Sequence, residues 1–195
     1  MKTSERVVEA ALASFGTSGY GATSLDALAR ELGIRKQTIL YHFGSKEGLL
    51  GAVVDQAVAD LAAALEAALE GAGPGWERVE SVVRAVFRIA VRRPELLGLI
   101  RELGRLGAPW VTQASDAFEP MVKRATEFLE NEMSVGHLRA SDPRLVLVSA
   151  YSTVMGVATE VEVLRAVGIE PTLAEAARRR RELLGFLRAA LYVEA

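Results

Sequence analysis

The chain has 195 residues, half of them hydrophobic and a quarter charged, with a formal net charge of −2 and no cysteine. That length supports one sizeable core, or a small domain joined to a larger one. The lack of cysteine excludes disulfides, thiolate metal sites and thiol redox chemistry, and the two histidines, His42 and His137, argue against a histidine-rich metal centre. No run approaches the ~18 apolar residues of a membrane span, and the N-terminus lacks a signal-peptide block. The expectation is therefore a cytoplasmic protein with no membrane partner.

Alanine, leucine, glutamate and arginine dominate and strand-like alternation is missing, which predicts an all-α chain. The first helix starts near residue 4, carries Val8, Leu12 and Phe15 on one face, and stops where Gly16 and Gly19 permit left-handed backbone. Thr23 as N-cap with Asp26 three residues on reads as a capping box for a second helix, buried through Leu25, Leu28, Ala29 and Leu32. Gly33 breaks it, and a short third helix covers residues 35–43. Ser45, after Gly44, caps a long fourth helix over 46–70. Residues 71–75 form a glycine-proline loop. Helices follow over 76–92, 94–103 and 115–135, with 104–110 irregular. Asp142-Pro143 opens an apolar helix running to about residue 167, and Thr172 with Glu175 opens the last, to about residue 193.

Between residues 23 and 46 the spacing carries chemistry. Ala29 is small where two helices must cross closely, Gly33 follows four residues later, and Ile39 anchors the next helix six residues beyond. Two short helices at a steep angle need those residue types, as in a helix-turn-helix. The second of them presents Arg35, Lys36, Gln37, Thr38, Tyr41 and His42, donors suited to phosphates and base edges. The charge agrees: within 30–46, Arg30, Arg35, Lys36 and Lys46 stand against Glu31 alone. Positive charge is concentrated on the segment that would face phosphates, despite the net negative total.

These residues resemble the tetracycline-repressor (TetR) family of bacterial regulators. The match runs through Gly19-Tyr20, Ala22-Thr23-Ser24-Leu25, Leu28-Ala29 and, above all, the unbroken stretch from Gly33 to Leu50, with Gly33-Ile34-Arg35-Lys36-Gln37-Thr38-Ile39-Leu40-Tyr41-His42-Phe43 at its centre. The resemblance implies an N-terminal three-helix helix-turn-helix domain over residues 1–46, which binds double-stranded DNA, and a larger C-terminal helical bundle over 47–195 for ligand binding and dimerisation. It also implies a homodimer whose recognition helices enter successive major grooves of a palindrome, about 34 Å apart. Lys36 and Gln37, at the start of the recognition helix, are expected at base edges. Thr38, Tyr41 and His42 lie where the family contacts phosphates, or bases in some members. Lys46 starts the next helix, whose amides also favour a phosphate. Thr23 and Ser24 are candidate backbone contacts. Arg35 departs from the small polar residue common at its position and is available for a base or phosphate.

Dimerisation is expected on physical grounds too, because one such module has a small interface. Ser149, Ser152, Gly156 and Thr159 make a small-residue stripe, and the last helix offers Leu184, Leu187 and Leu191, with Leu173 and Ala177 before them. Packed about a two-fold axis they would form a four-helix bundle. Arg178 to Arg181 point around a whole helix and read as a solvated face with Glu175 and Glu182 as partners. The effector pocket is assigned to Phe87, Leu103, Trp110, Phe118, Met121, Tyr151 and Met155, apolar residues that equally suit a core. Arg101, Glu102 and Glu160 are candidate polar contacts. The effector, of unknown identity, is expected to be apolar or amphipathic, with no cofactor and no metal. No catalytic triad, phosphate-binding glycine loop or metal cluster supports an enzyme. A DNA-binding architectural protein without an effector is the remaining alternative.

Overall fold

A computed structural model describes residues 2–193. The described residues form α1 (Thr3–Ser18), α2 (Leu25–Leu32), α3 (Lys36–Phe43), α4 (Lys46–Glu70), α5 (Trp76–Arg92), α6 (Pro94–Leu106), α7 (Trp110–Ser134), α8 (Pro143–Thr159), α9 (Val161–Ala166) and α10 (Leu173–Leu191). No strand occurs among them, only an isolated antiparallel bridge between Leu138 and Tyr192. The chain is all-α, as its composition predicts. It gathers into two compact units, one reaching Ala63 and taking in Arg93–Phe118, the other comprising Ala64–Arg92 and the residues from Glu119 onward.

In the first unit α1 buries Val7, Ala11, Leu12 and Phe15. α1 packs against α6, α2 and α3, and Leu28 and Ala29 of α2, Ile39 of α3, Leu49, Leu50 and Val53 of α4, and Leu99 and Leu103 of α6 are buried in the same unit. The crossing of α1 and α6 is a backbone-to-backbone approach. A Cβ on Gly16 would fall on the Glu95 carbonyl, and a Cβ on Gly98 would fall on the Gly16 carbonyl. Gly16 is therefore a packing residue inside α1, and the helix ends three residues later at Gly19.

In the second unit Val83 and Phe87 of α5, Val154 and Ala158 of α8, and Leu183 and Leu187 of α10 share a core, with Trp76 and Leu184 packed against it. Trp76 also meets Tyr192 edge to face, with ring centroids 5.3 Å apart. By length and composition α4 could cross a membrane, yet Leu49, Leu50, Val53, Val54, Ala57, Val58 and Leu61 are buried in the protein.

Four boundaries differ from the sequence reading, the first being α6, expected to stop at residue 103 but helical to Leu106. The cap of α2 is Ser24, whose oxygen accepts from the Ala27 amide at 3.1 Å, rather than Thr23. α7 begins at Trp110 instead of 115 and continues through Pro120. The helix from Pro143 stops at Thr159, because Glu160 leaves the helical region (φ −81°, ψ 74°) before α9 resumes at Val161. No glycine or proline marks that break, so turn chemistry could not reveal it.

Candidate nucleic-acid interface

The turn between α2 and α3 rests on Gly33, which adopts the left-handed conformation (φ 67°, ψ 31°). Its amide reaches Ala29 and Arg30, and the Ile34 amide donates to the Ala29 carbonyl at 2.9 Å, closing the end of α2. That geometry suits glycine because a Cβ would strain the left-handed backbone. α3 then attaches to the core through Ile39, its one fully buried residue. No side chain caps its first amides. A helix held by one anchor and left uncapped presents both its side chains and its N-terminal dipole outward, which suits an anionic partner.

The predicted contact residues divide into two groups. Arg35, Gln37, Tyr41 and His42 are exposed. Tyr41 is 85% exposed, although its ring has the bulk of a core residue, and it meets the neighbouring His42 ring edge to face, centroids 5.3 Å apart. Thr38 is half-buried on the same helix.

The second group is already engaged within the domain. Thr23 is buried, with its hydroxyl 2.8 Å from Ser14 Oγ and donating to the Gly19 carbonyl at 3.0 Å. It therefore holds α1 to the α2 entry and is withdrawn as a DNA-backbone contact. Ser24 spends its oxygen on the cap but keeps an exposed hydroxyl donor. Lys36 bonds Asp26 at 2.8 Å, an exposed pair that contributes little and can exchange its partner for a phosphate. Lys46 donates to the Tyr20 carbonyl at 2.5 Å and sits 4.1 Å from the Tyr20 ring centroid.

Tyr20 is the residue sequence reasoning undervalued. Its ring packs edge to face on Phe15, and its hydroxyl donates to Glu47 at 3.1 Å. Burial, then the Glu47 bond, pushes its phenol up to about 12. The Glu47 carboxyl is held below the usual carboxylate range by its own backbone amide, then Ser45, then Tyr20. Tyr20 thus ties the start of α4 to the end of α1.

The opposite side of Tyr20 is held by Glu102, assigned above to effector contact. Its carboxylate accepts the Tyr20 amide at 2.8 Å and both Arg105 nitrogens. Arg105 first, and the Tyr20 amide with it, hold this carboxyl below its ordinary value against the opposing effect of burial. A depressed carboxylate stabilises the fold above its unfolded value and loses that contribution as pH falls through the folded one. Glu102→Gln is expected to cost about 1–3 kcal/mol, to speed hydrogen exchange at the Tyr20 amide, and to flatten the acid limb of the stability-pH profile. Unchanged exchange at Tyr20 would contradict this role.

The apolar candidates for an effector pocket fall into both units. Leu103, Trp110 and Phe118 belong to the first and Phe87, Met121, Tyr151 and Met155 to the second. Phe87 is a core residue, as is Leu103 at 2% exposure. Trp110 lies over Gly51 of α4, leaving ordinary van der Waals space. Tyr151 is 54% exposed. Phe118, Met121 and Met155 are half-buried.

On α8, Ser149 and Ser152 are exposed and Gly156 and Thr159 half-buried. At helical spacing they share a face with the exposed Leu145 and Val148, opposite the buried Val154 and Ala158. On α10 the prediction needs correction: Leu187 is buried and Leu184 packs on the core within the subunit, because they share the face of Leu183. Leu191 is half-buried, whereas Gly185, Phe186 and Ala189 are outward. The arginine run departs likewise from a solvated face. Arg178 pairs with Glu175 at 2.6 Å, but Arg179 is buried and donates to the Val157 carbonyl of α8 at 2.7 Å.

Residues 7–53 match the family described as bacterial regulatory proteins, tetR family. The HTH-type transcriptional regulatory protein RaaS of Mycobacterium tuberculosis is 30% identical over 141 residues, which is 71% of this chain and 61% of that protein. This chain thus spans less than two thirds of that relative. Two solved structures share the fold over nearly the whole length. A transcriptional regulator from Saccharomonospora viridis in complex with choline has a TM-score of 0.80 at 18% identity, covering 98% of each chain. The ketosteroid transcriptional regulator KstR2 of Mycobacterium tuberculosis has a TM-score of 0.75 at 20% identity, covering 100% of this chain and 98% of that one.

Proposed function

Because this chain belongs to the tetR family of bacterial regulatory proteins, a family of transcriptional regulators rather than enzymes, we propose that it is a ligand-responsive repressor that binds a palindromic operator as a homodimer. The observation that carries the DNA reading is the outward face of α3 and its N-cap, where Arg35, Gln37, Tyr41 and His42 are exposed and, among the described residues, have no side-chain hydrogen bond or ion pair. Residues 1–46 serve as the DNA-reading head and 47–195 as the ligand-binding and dimerisation part. The protein works in the cytoplasm.

Two heads are needed because a single three-helix module contacts too few base pairs for tight, specific binding. The outward faces of α8 and α10 supply a self-complementary surface, with Ser149, Ser152 and Gly156 permitting close approach and Leu145, Val148 and Phe186 supplying apolar area. Val148→Asp combined with Phe186→Asp is expected to give a monomer by analytical ultracentrifugation and to weaken operator binding by at least about tenfold. A dimer that persists in the double variant would exclude this face.

The effector is a small apolar or amphipathic molecule; the fold itself admits small ligands, since the Saccharomonospora viridis protein is in complex with choline, a small cation. It acts by binding the two conformations of the dimer with different affinity, since a ligand shifts an equilibrium only by that difference. α4, continuous from Lys46 to Glu70, carries the shift to the Lys46 end, where Tyr20 receives it. A gel-shift titration with the DNA upstream of the protein's own gene, with and without candidate effectors, tests both halves. Binding no stronger than to unrelated DNA would reject the reading.

A further inference from the structure

The facing sides of α5 and α10 border an open groove of about 180 Å³ within the second unit. Its wall is apolar, formed by Phe87, Val91 and Leu173 with two alanines of α10, and its polar groups are the guanidinium-bearing side chains of Arg88, Arg92 and Arg180. No carboxylate lines it. Several exposed arginines elsewhere in the chain are instead neutralised by a carboxylate. Arg84 pairs with Glu80, Arg124 with Glu66, Arg144 with Asp142, Arg165 with Glu162 and Arg178 with Glu175. Among the described residues, Arg88, Arg92 and Arg180 have no such partner. The Nε of Arg180 is moreover buried and has no acceptor, and a buried donor left unmade is costly.

The helix dipoles do not account for the cluster. The negative end of α5 lies beside Arg88 and Arg92, but it carries only about half a charge, against three guanidinium groups. The N-terminus of α10 at Leu173 opens on the same groove and adds positive potential. Three unpaired arginines, an orphaned donor and a helix N-terminus over an apolar wall make a site electrostatically complementary to one anionic group on an apolar body.

We propose that this groove binds a small organic acid, a carboxylate whose apolar portion is an aryl ring or a short acyl chain. The size agrees, since a cavity of about 150 Å³ accommodates one benzene ring. The carboxylate takes the forked donors of Arg88 or Arg92, with Arg180 adding positive charge beside them, and the ring or chain lies on Phe87 and Val91. Guanidinium suits this role because its planar donors match both carboxylate oxygens.

The site is independent of the DNA reading, so the test measures binding to the purified full-length protein directly. Benzoate and hexanoate are titrated by isothermal calorimetry, with benzamide and benzylamine as the neutral and cationic counterparts. The two acids are expected to bind saturably, the amide and amine to bind at least about tenfold more weakly. Arg88→Gln with Arg92→Gln, both exposed, is expected to reduce acid affinity by about tenfold or more. Val91→Glu, which places a competing carboxylate in the groove, should remove binding, and Arg84→Gln, outside it, should not alter binding. Equal affinity for benzamide, an undiminished signal in the double arginine variant, or no saturable binding of either acid would overturn the proposal. So would a loss of self-association in the double variant, which would mark the groove as a seat for an acidic segment of a second copy.

Discussion

Gly98→Ala is expected to destabilise the protein by about 3 kcal/mol or more, at the upper end of what overpacking costs. The added methyl meets the Gly16 backbone carbonyl, not the tip of a side chain that could swing away. Relief requires α1 and α6 to separate, and with them the contacts of Phe15, Leu99 and Leu103. The same substitution at Gly104, on the same helix with open space around it, should stabilise by about 0.4–1 kcal/mol through helix propensity and a less free unfolded chain. Opposite signs on one helix separate packing from propensity. Urea denaturation of the two variants reads this directly. A Gly98→Ala midpoint at or above wild type would show that the helices do not meet at these backbones.

Gln37→Ala is expected to leave stability within about 0.5 kcal/mol of wild type while lowering operator affinity by about 10- to 100-fold, the worth of one base-edge contact of 1–3 kcal/mol. The side chain is exposed at the second position of α3 and, among the described residues, has no hydrogen-bond partner. Lys46→Ala should behave differently. It removes the hydrogen bond to Tyr20 and the cation–ring contact, so stability and DNA affinity fall together. Fluorescence anisotropy with operator DNA, paired with thermal melts, distinguishes the two. Full affinity in Gln37→Ala would remove that residue from the recognition surface.

The DNA-reading head was legible because it is local. Ala29, Gly33 and Ile39 act across ten residues, and each is needed for a reason that spacing alone conveys: close crossing, left-handed turn, buried anchor. Thr23 shows the limit of the same reasoning. Thr23 and Ser24 are both able caps, and the choice between them depends on Ser14, nine residues back on another helix. Leu187 failed for a related reason. A leucine stripe states that a face is apolar without saying whether its neighbour is α8 of the same chain or a second copy.

By itself the sequence determined the all-α class, the helix-turn-helix and the exposed donors of α3, because helix periodicity, caps and glycine turns act between residues a few positions apart. Only the tertiary structure revealed Gly16 against Gly98, Glu102 holding Tyr20, and the unpaired arginines of α5 and α10. Each joins positions more than eighty residues apart, and which distant partners meet is decided by packing rather than by spacing along the chain.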